Sequence, residues 1–305
     1  MRLVADIGGT NSRLALAPTG SVELLSTTSY VNADYKCFDN VISDYLSNSD
    51  AKVKQLVIAM AGPVRNNVGR LTNLDWEIDG NKLARSFGAV PALVINDLTA
   101  LGHSALKLAP NQVSPIINLP VINHRQKQAL VIGIGTGFNV SPIIECGGVS
   151  VCAEVEAGHT TLFSSILLEL ENLMTGLSRA FSTVESLFSG RGRRQFMSLL
   201  TGERVDSASM FIAKQGIPEN QAYDHALDRY AELIGMLIAE YKVSYLPHDG
   251  IFLAGGVARS SLTGNRATLC AEAAMCENEV IKLKTPVWSI NDDASALVGC
   301  ASLKI

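Results

Sequence analysis

The sequence predicts an α/β protein of two domains, and two observations carry that prediction. A Gly-rich turn occurs twice, each time between apolar, strand-like runs. The first copy is Asp6-Ile-Gly-Gly-Thr-Asn11 and the second is Gly133-Ile-Gly-Thr-Gly137. Strand and helix patterns alternate on both sides of a segment at 108–123 that carries Pro110, Pro115 and Pro120 and little helical periodicity. Each turn opens its own half of the chain, so the pattern is consistent with an internal duplication, although only the turns look alike.

The elements follow in order. Apolar runs at 3–7, 13–18 and 22–31 read as strands. Phe38, Val41, Ile42, Tyr45 and Leu46 share one helix face. Residues 55–61 form a buried-strand run that stops at Gly62-Pro63, and 68–73 a shorter one. A helix over 79–87 is closed by Gly88. Residues 92–95 form a strand running into Asn96-Asp97, before a helix over 98–106. Beyond the proline-bearing segment, 129–155 is strand-rich and 161–242 mostly helical. Strands at 250–256 and 286–290 and a helix at 293–303 complete the pattern. The predicted division is a small domain of 1–107, to which 292–305 returns, and a larger one of 108–291. Ligands of such proteins bind where strand ends meet a crevice, here a cleft between the small and the larger domain.

Composition narrows the function. With 47% hydrophobic and 18% charged residues, the 305-residue chain has ample material for a core. A formal charge of −4 gives no basic field, which argues against a nucleic-acid partner. No apolar run is long enough for a membrane span, and Met1-Arg2-Leu3-Val4 enters a strand pattern too soon for a secretory signal. The six cysteines match no zinc spacing and read as reduced thiols of a cytoplasmic protein.

A Gly-rich turn brings backbone N–H groups and a Thr hydroxyl close to a bound anion, and two facing turns would grip a polyphosphate. Around the turns stand Ala61-Gly-Pro-Val64, Leu71-Thr-Asn-Leu-Asp-Trp76, Ile95-Asn-Asp-Leu-Thr-Ala100, Glu156-Ala-Gly-His159, Glu185-Ser-Leu-Phe-Ser-Gly-Arg-Gly192 and Leu253-Ala-Gly-Gly-Val257. Each is weak alone. In this order, over nearly the whole length, they resemble the bacterial glucokinase family of the sugar-kinase, hsp70 and actin superfamily. The resemblance implies an actin-like ATPase (ribonuclease H-like) fold, ATP as donor, glucose as acceptor and a homodimer.

The resemblance also implies roles. Gly8, Gly9, Thr10 and Asn11, with Gly135, Thr136 and Gly137, would contact the phosphates. Gly255 and Gly256 would lie against the adenosine, although such a pair also ends ordinary strands. A carboxylate beside phosphate is repulsive unless a cation intervenes, so Asp6 would hold Mg²⁺, through water. Transfer to an alcohol needs a carboxylate that accepts the hydroxyl proton, and Asp97 fits as general base. Asp also caps helices, a task that Asn96 or Thr99 could take instead. Asn96, Asp97, Glu156, His159 and Glu185 would bind the sugar hydroxyls, with Asn73 as a second-tier contact. Arg191, Arg193 and Arg194 read as a solvated helix start or, less simply, a phosphate clamp.

Two positions depart from the family's pattern. Asn139 stands where a glycine is expected; Asn tolerates positive φ better than other non-glycine residues, so the turn is expected to survive. Ala157 also replaces a glycine, and its methyl could crowd the sugar or shift Glu156. Kinases of mannose, fructose or an N-acetylhexosamine, and a non-catalytic sugar or nucleotide sensor, remain open at this stage.

Overall fold

The computed structural model describes residues 1–71, 74–120, 126–206, 221–275, 283–292 and 294–305. They form two compact units, Met1–Ala109 with Asp292–Ile305, and Pro110–Asn291.

The first unit holds β1 (Arg2–Ile7), β2 (Asn11–Ala17), β3 (Leu25–Val31), α1 (Phe38–Ser47), β4 (Gln55–Met60), β5 (Val64–Arg65), β6 (Val68–Arg70), β7 (Glu77–Asp79), α2 (Gly80–Ser86), β8 (Ala92–Asn96) and α3 (Asp97–Ala105). The main sheet has the order β3-β2-β1-β4-β8, antiparallel across β3, β2 and β1 and parallel across β1, β4 and β8. Strand periodicity of two divides its side chains between two cores. Leu3, Ala5 and Ile7 of β1, with Leu56, Ile58 and Met60 of β4, pack against Phe38, Val41, Ile42 and Tyr45 of α1. The other face is built from Val4, Ala15, Ala17, Val57 and Ala59, and these small side chains let helices approach closely. It is covered by Ala100 of α3 and by Ala296, Leu297, Cys300 and Ala301 near the carboxyl terminus.

In the second unit are β9 (Val113–Ile117), β10 (Gln126–Ile134), β11 (Phe138–Cys146), β12 (Val149–Cys152), α4 (Ser164–Leu173), α5 (Val184–Leu187), α6 (Gly190–Thr201), α7 (Gln221–Tyr245), β13 (Ile251–Ala254), α8 (Gly256–Ser261), α9 (Asn265–Ala274) and β14 (Val287–Ile290). The terminal α10 (Ser295–Ser302) belongs to the first unit. The second sheet runs β12-β11-β10-β13-β14-β9. Across its first five strands the pairings are antiparallel, antiparallel, parallel and parallel, the same succession as in the first unit. The likeness of the two turns therefore extends to five strands of each sheet, with β9 an addition in the second unit.

The proline-bearing segment is not only a connection. It contains β9, which pairs antiparallel with β14 and sets Pro115 opposite Trp288. Proline lacks the ladder N–H, and an edge strand tolerates that loss; β9 is an edge. Among the described residues no helix is long and apolar enough to cross a membrane.

Candidate active site

In the first unit the chemistry lies at the carboxyl ends of the parallel strands. Asp6 on β1 pairs in register with Ala59 on β4, and Met60 with Asn96 on β8. Asp6 and Asn96 thus lie two strands apart, about 10 Å at ordinary strand spacing. The Asp6 carboxylate is 3.7 Å from the Arg13 guanidinium.

The turn between β1 and β2 is closed by the Gly8 N–H, which donates to the Asn11 carbonyl at 2.9 Å. Asn32 anchors it from behind. The Asn32 backbone N–H donates to the Thr10 carbonyl at 2.9 Å, and its Nδ2 donates to the Gly8 carbonyl at 2.9 Å. Its Oδ1 accepts from the Ser12 hydroxyl at 2.7 Å. Carbonyl oxygens repel phosphate, and three in this turn are engaged within the protein. Sequence reading missed Asn32, because a buried Asn at the end of a strand carries no local motif.

Asn96 and Asp97 divide their tasks. Asn96 caps α3, its Oδ1 accepting from the N–H of Leu98 at 2.9 Å and of Thr99 at 3.4 Å. Its Nδ2 donates to the Gly62 carbonyl at 3.0 Å, which gives the Ala61-Gly-Pro-Val64 motif a structural use. Asp97 Oδ1 also accepts from the Leu98 N–H, at 2.8 Å. Burial pushes the Asp97 carboxyl up to about 6, against the lowering effect of the Leu98 N–H, its own N–H and Asn96. Asn73 lies outside the described residues.

In the second unit the turn at 135–137 is closed by the Gly135 N–H, which donates to the Gly137 carbonyl at 3.0 Å. The Gly190 N–H, at the start of α6, donates to the Gly135 carbonyl at 2.8 Å. The amino end of a twelve-residue helix, with its partial positive charge, therefore abuts the turn. Gly255 has φ of +99°, and a Cβ there would overlap the Ile134 carbonyl, so only glycine lets the end of β13 lie this close to the turn. Gly256, the first residue of α8, has open space where its Cβ would be.

Glu156 and Glu185 are drawn to consecutive residues of β11. Glu185 Oε2 accepts from the Phe138 N–H at 3.0 Å, and Glu156 Oε2 accepts from Asn139 Nδ2 at 3.3 Å. Glu185 is carried by α5, whose start is fixed by a reciprocal cap between Thr183 and Ser186. His159 ends the single 3₁₀ turn Ala157–His159, where it is exposed like Glu156.

Both departures resolve differently from the expectation. Asn139 sits in extended β11 and needs no positive φ. The Ala157 methyl belongs to the core of the second unit, 3% exposed. Arg193 is no solvated helix start: it is buried, and its Nη1 donates to the hydroxyls of Ser260 and Ser261, both at 2.7 Å, tying α6 to α8.

Known proteins match this chain over most of its length. A family model described as glucokinase matches residues 3–304. A glucokinase of Caulobacter sp. strain K31 is 30% identical over 264 residues, covering 84% of this chain and 80% of that protein. The crystal structure of a glucokinase from an Antarctic psychrotroph superposes with a TM-score of 0.85 at 24% identity, covering 99% of this chain and 97% of that one. A ROK-family glucokinase from Streptomyces griseus, in complex with glucose and AMPPNP, superposes at 0.64 with 18% identity, covering 98% and 97%. The fold is that of the actin-like ATPases, and the chain belongs to the glucokinase family.

Proposed function

We propose that this protein transfers the terminal phosphoryl group of ATP to the 6-hydroxyl of glucose, giving glucose 6-phosphate and ADP, with Asp97 as general base. The observation that carries the base assignment is the division at the head of α3. Asn96 caps the helix, and burial brings the adjacent Asp97 carboxyl to about 6, near the working pH of a general base. The bond from the sugar oxygen to phosphorus forms as that between phosphorus and the bridging oxygen breaks. The hydroxyl proton passes to Asp97, and ADP departs.

The donor assignment has the support of the Streptomyces griseus structure, whose named ligands are glucose and an ATP analogue. Phosphate contacts are assigned to Gly8, Gly9, Thr10, Asn11, Gly135, Thr136 and Gly137, and the adenosine to Gly255 and Gly256. Asp6 suits Mg²⁺, which keeps most of its waters and needs only one or two carboxylates beside phosphate oxygens. Among the described residues no cluster of three or more His, Cys, Asp or Glu offers an alternative metal cage. Glu156, His159 and Glu185, with Asn96 and Asn73, are assigned to the sugar. A homodimer and a cytoplasmic location, where ATP is supplied, complete the reading.

Sugar-dependent ADP release tests the reaction. Glucose is expected to give the highest kcat/KM among glucose, mannose, fructose, N-acetylglucosamine and N-acetylmannosamine. ADP release independent of sugar would sink the assignment, and a preference for an N-acetylhexosamine would change its substrate. The base assignment also fixes a pH dependence. Asp97 must be ionised to accept the proton, so kcat/KM for glucose falls about tenfold per pH unit below about 6 and is level above 7. A profile flat down to pH 5 would contradict it.

A further inference from the structure

We propose that Asn139 is a positioning residue for sugar recognition, fixing the Glu156 carboxylate and the segment 155–157 against the strand that leaves the second Gly-rich turn. The inference rests on the reading of Glu156 as a sugar ligand. It arises because the two departures from the family's pattern, at 139 and 157, prove to be in contact. Asn139 Oδ1 accepts from the Ala157 N–H at 3.0 Å and from the Val140 N–H at 2.8 Å. Its Nδ2 donates to the Val155 carbonyl at 2.6 Å and to Glu156 Oε2 at 3.3 Å. A primary amide has two acceptor and two donor positions, and here all are used. Glycine would supply none of them.

Ala157 completes the device. Its methyl is buried in the core of the second unit, so residue 157 is held by packing on its side-chain end and by Asn139 at its N–H. Glu156, between two residues whose backbones bond to Asn139, is exposed and would otherwise sample many rotamers. The amide N–H supplies a neutral donor that narrows this range without neutralising the carboxylate. Ordering before the sugar arrives lowers the cost of binding, so the effect belongs in glucose affinity rather than in the chemical step. Asn139 also lies two residues past Gly137, on the strand that leaves the turn, so the sugar segment and the phosphate turn share one support.

Steady-state kinetics of the full-length enzyme test this with Asn139→Asp, Asn139→Ser, Glu156→Gln and the double variant Asn139→Asp/Glu156→Gln. The Asp variant keeps the acceptors for Val140 and Ala157 but sets a second carboxylate against Glu156. It is expected to raise the glucose KM about tenfold, with kcat and the ATP KM within about twofold. Asn139→Ser removes the link without adding repulsion and is expected to raise the glucose KM about threefold; it decides the matter if the Asp variant does not fold. In the Glu156→Gln background the Asp substitution is expected to add less than about twofold, because its effect runs through the carboxylate. A glucose KM within about twofold of wild type in both single variants would overturn the proposal. So would the same tenfold rise in the Gln background, or a loss of kcat and Tm with the KM unchanged. If Glu156→Gln alone leaves the glucose KM unchanged, it is the sugar assignment that fails.

Discussion

Asp97→Asn is expected to lower kcat by about 10³-fold while leaving the glucose dissociation constant within a few-fold of wild type. The substitution is nearly isosteric, and an Asn side-chain oxygen can keep the bond from the Leu98 N–H that Oδ1 now accepts. The capping of α3 rests on Asn96 and is untouched. What is lost is the acceptor for the sugar proton. Stability moves the other way. The folded-state carboxyl lies near 6, above the value of an unfolded Asp, so the folded protein binds the extra proton between pH 4 and 6. This group's contribution to stability therefore declines as pH rises through that window, and at neutral pH the ionised form carries a desolvation cost. Removing the charge is expected to add on the order of 1 kcal/mol of stability at pH 7.5 and so to raise Tm slightly. Calorimetric glucose binding, turnover and melting on one preparation separate these effects. A variant with near-normal kcat would show that Asp97 is not the base.

Gly299→Ala should produce the largest structural effect. The Gly299 backbone on α10 lies directly against the Ala100 carbonyl of α3, and a Cβ there would overlap it. Backbone cannot move aside as a long side chain can, so the helices must separate. The sheet face they close is lined by small residues, Ala15, Ala17 and Ala59 among them, and α10 meets it with Ala296 and Ala301, which leaves little to take up the strain. A loss of about 3 kcal/mol is expected, and a Tm lowered by roughly 6–12 °C. Because Asp97 stands one turn before Ala100, kcat should fall further than glucose affinity. A Tm within about 2 °C of wild type would show that the two helices can part at little cost.

The recurrence of Gly-rich turns made the architecture legible, because glycine and apolar periodicity are local signals of backbone requirements. Strand register is not local. That is why Pro115 hid an edge strand and why the equal pairing succession of the two sheets emerged only in the structure. Asp6, Asn96 and Asp97 could be singled out because they stand at strand ends beside a turn or a helix start, whereas Glu156 and Glu185 were singled out only through the family resemblance. Those that support them from a distance were not. Asn32 meets its turn from the end of the neighbouring strand, some twenty residues on in sequence, and Arg193 finds two serines on another helix. Asn139 was noticed, but as a backbone problem, whereas its significance is the four hydrogen bonds of its side chain.

The return of the carboxyl-terminal helix to the first unit has a consequence for synthesis. Arg2 donates to the carbonyls of Cys300 and Ala301, at 3.2 and 2.5 Å, so the first strand of this unit is tied to α10. Until α10 leaves the ribosome, one face of the first sheet stays uncovered and α3 lacks its backing. At ordinary elongation rates the intervening Pro110–Asn291 takes about 10–40 seconds to make. During that interval the nascent first unit presents an apolar alanine-rich surface, and the second, whose sheet needs β13 and β14, is itself still incomplete. Closure of the first unit thus waits on α10, a helix made only after the whole of the second unit.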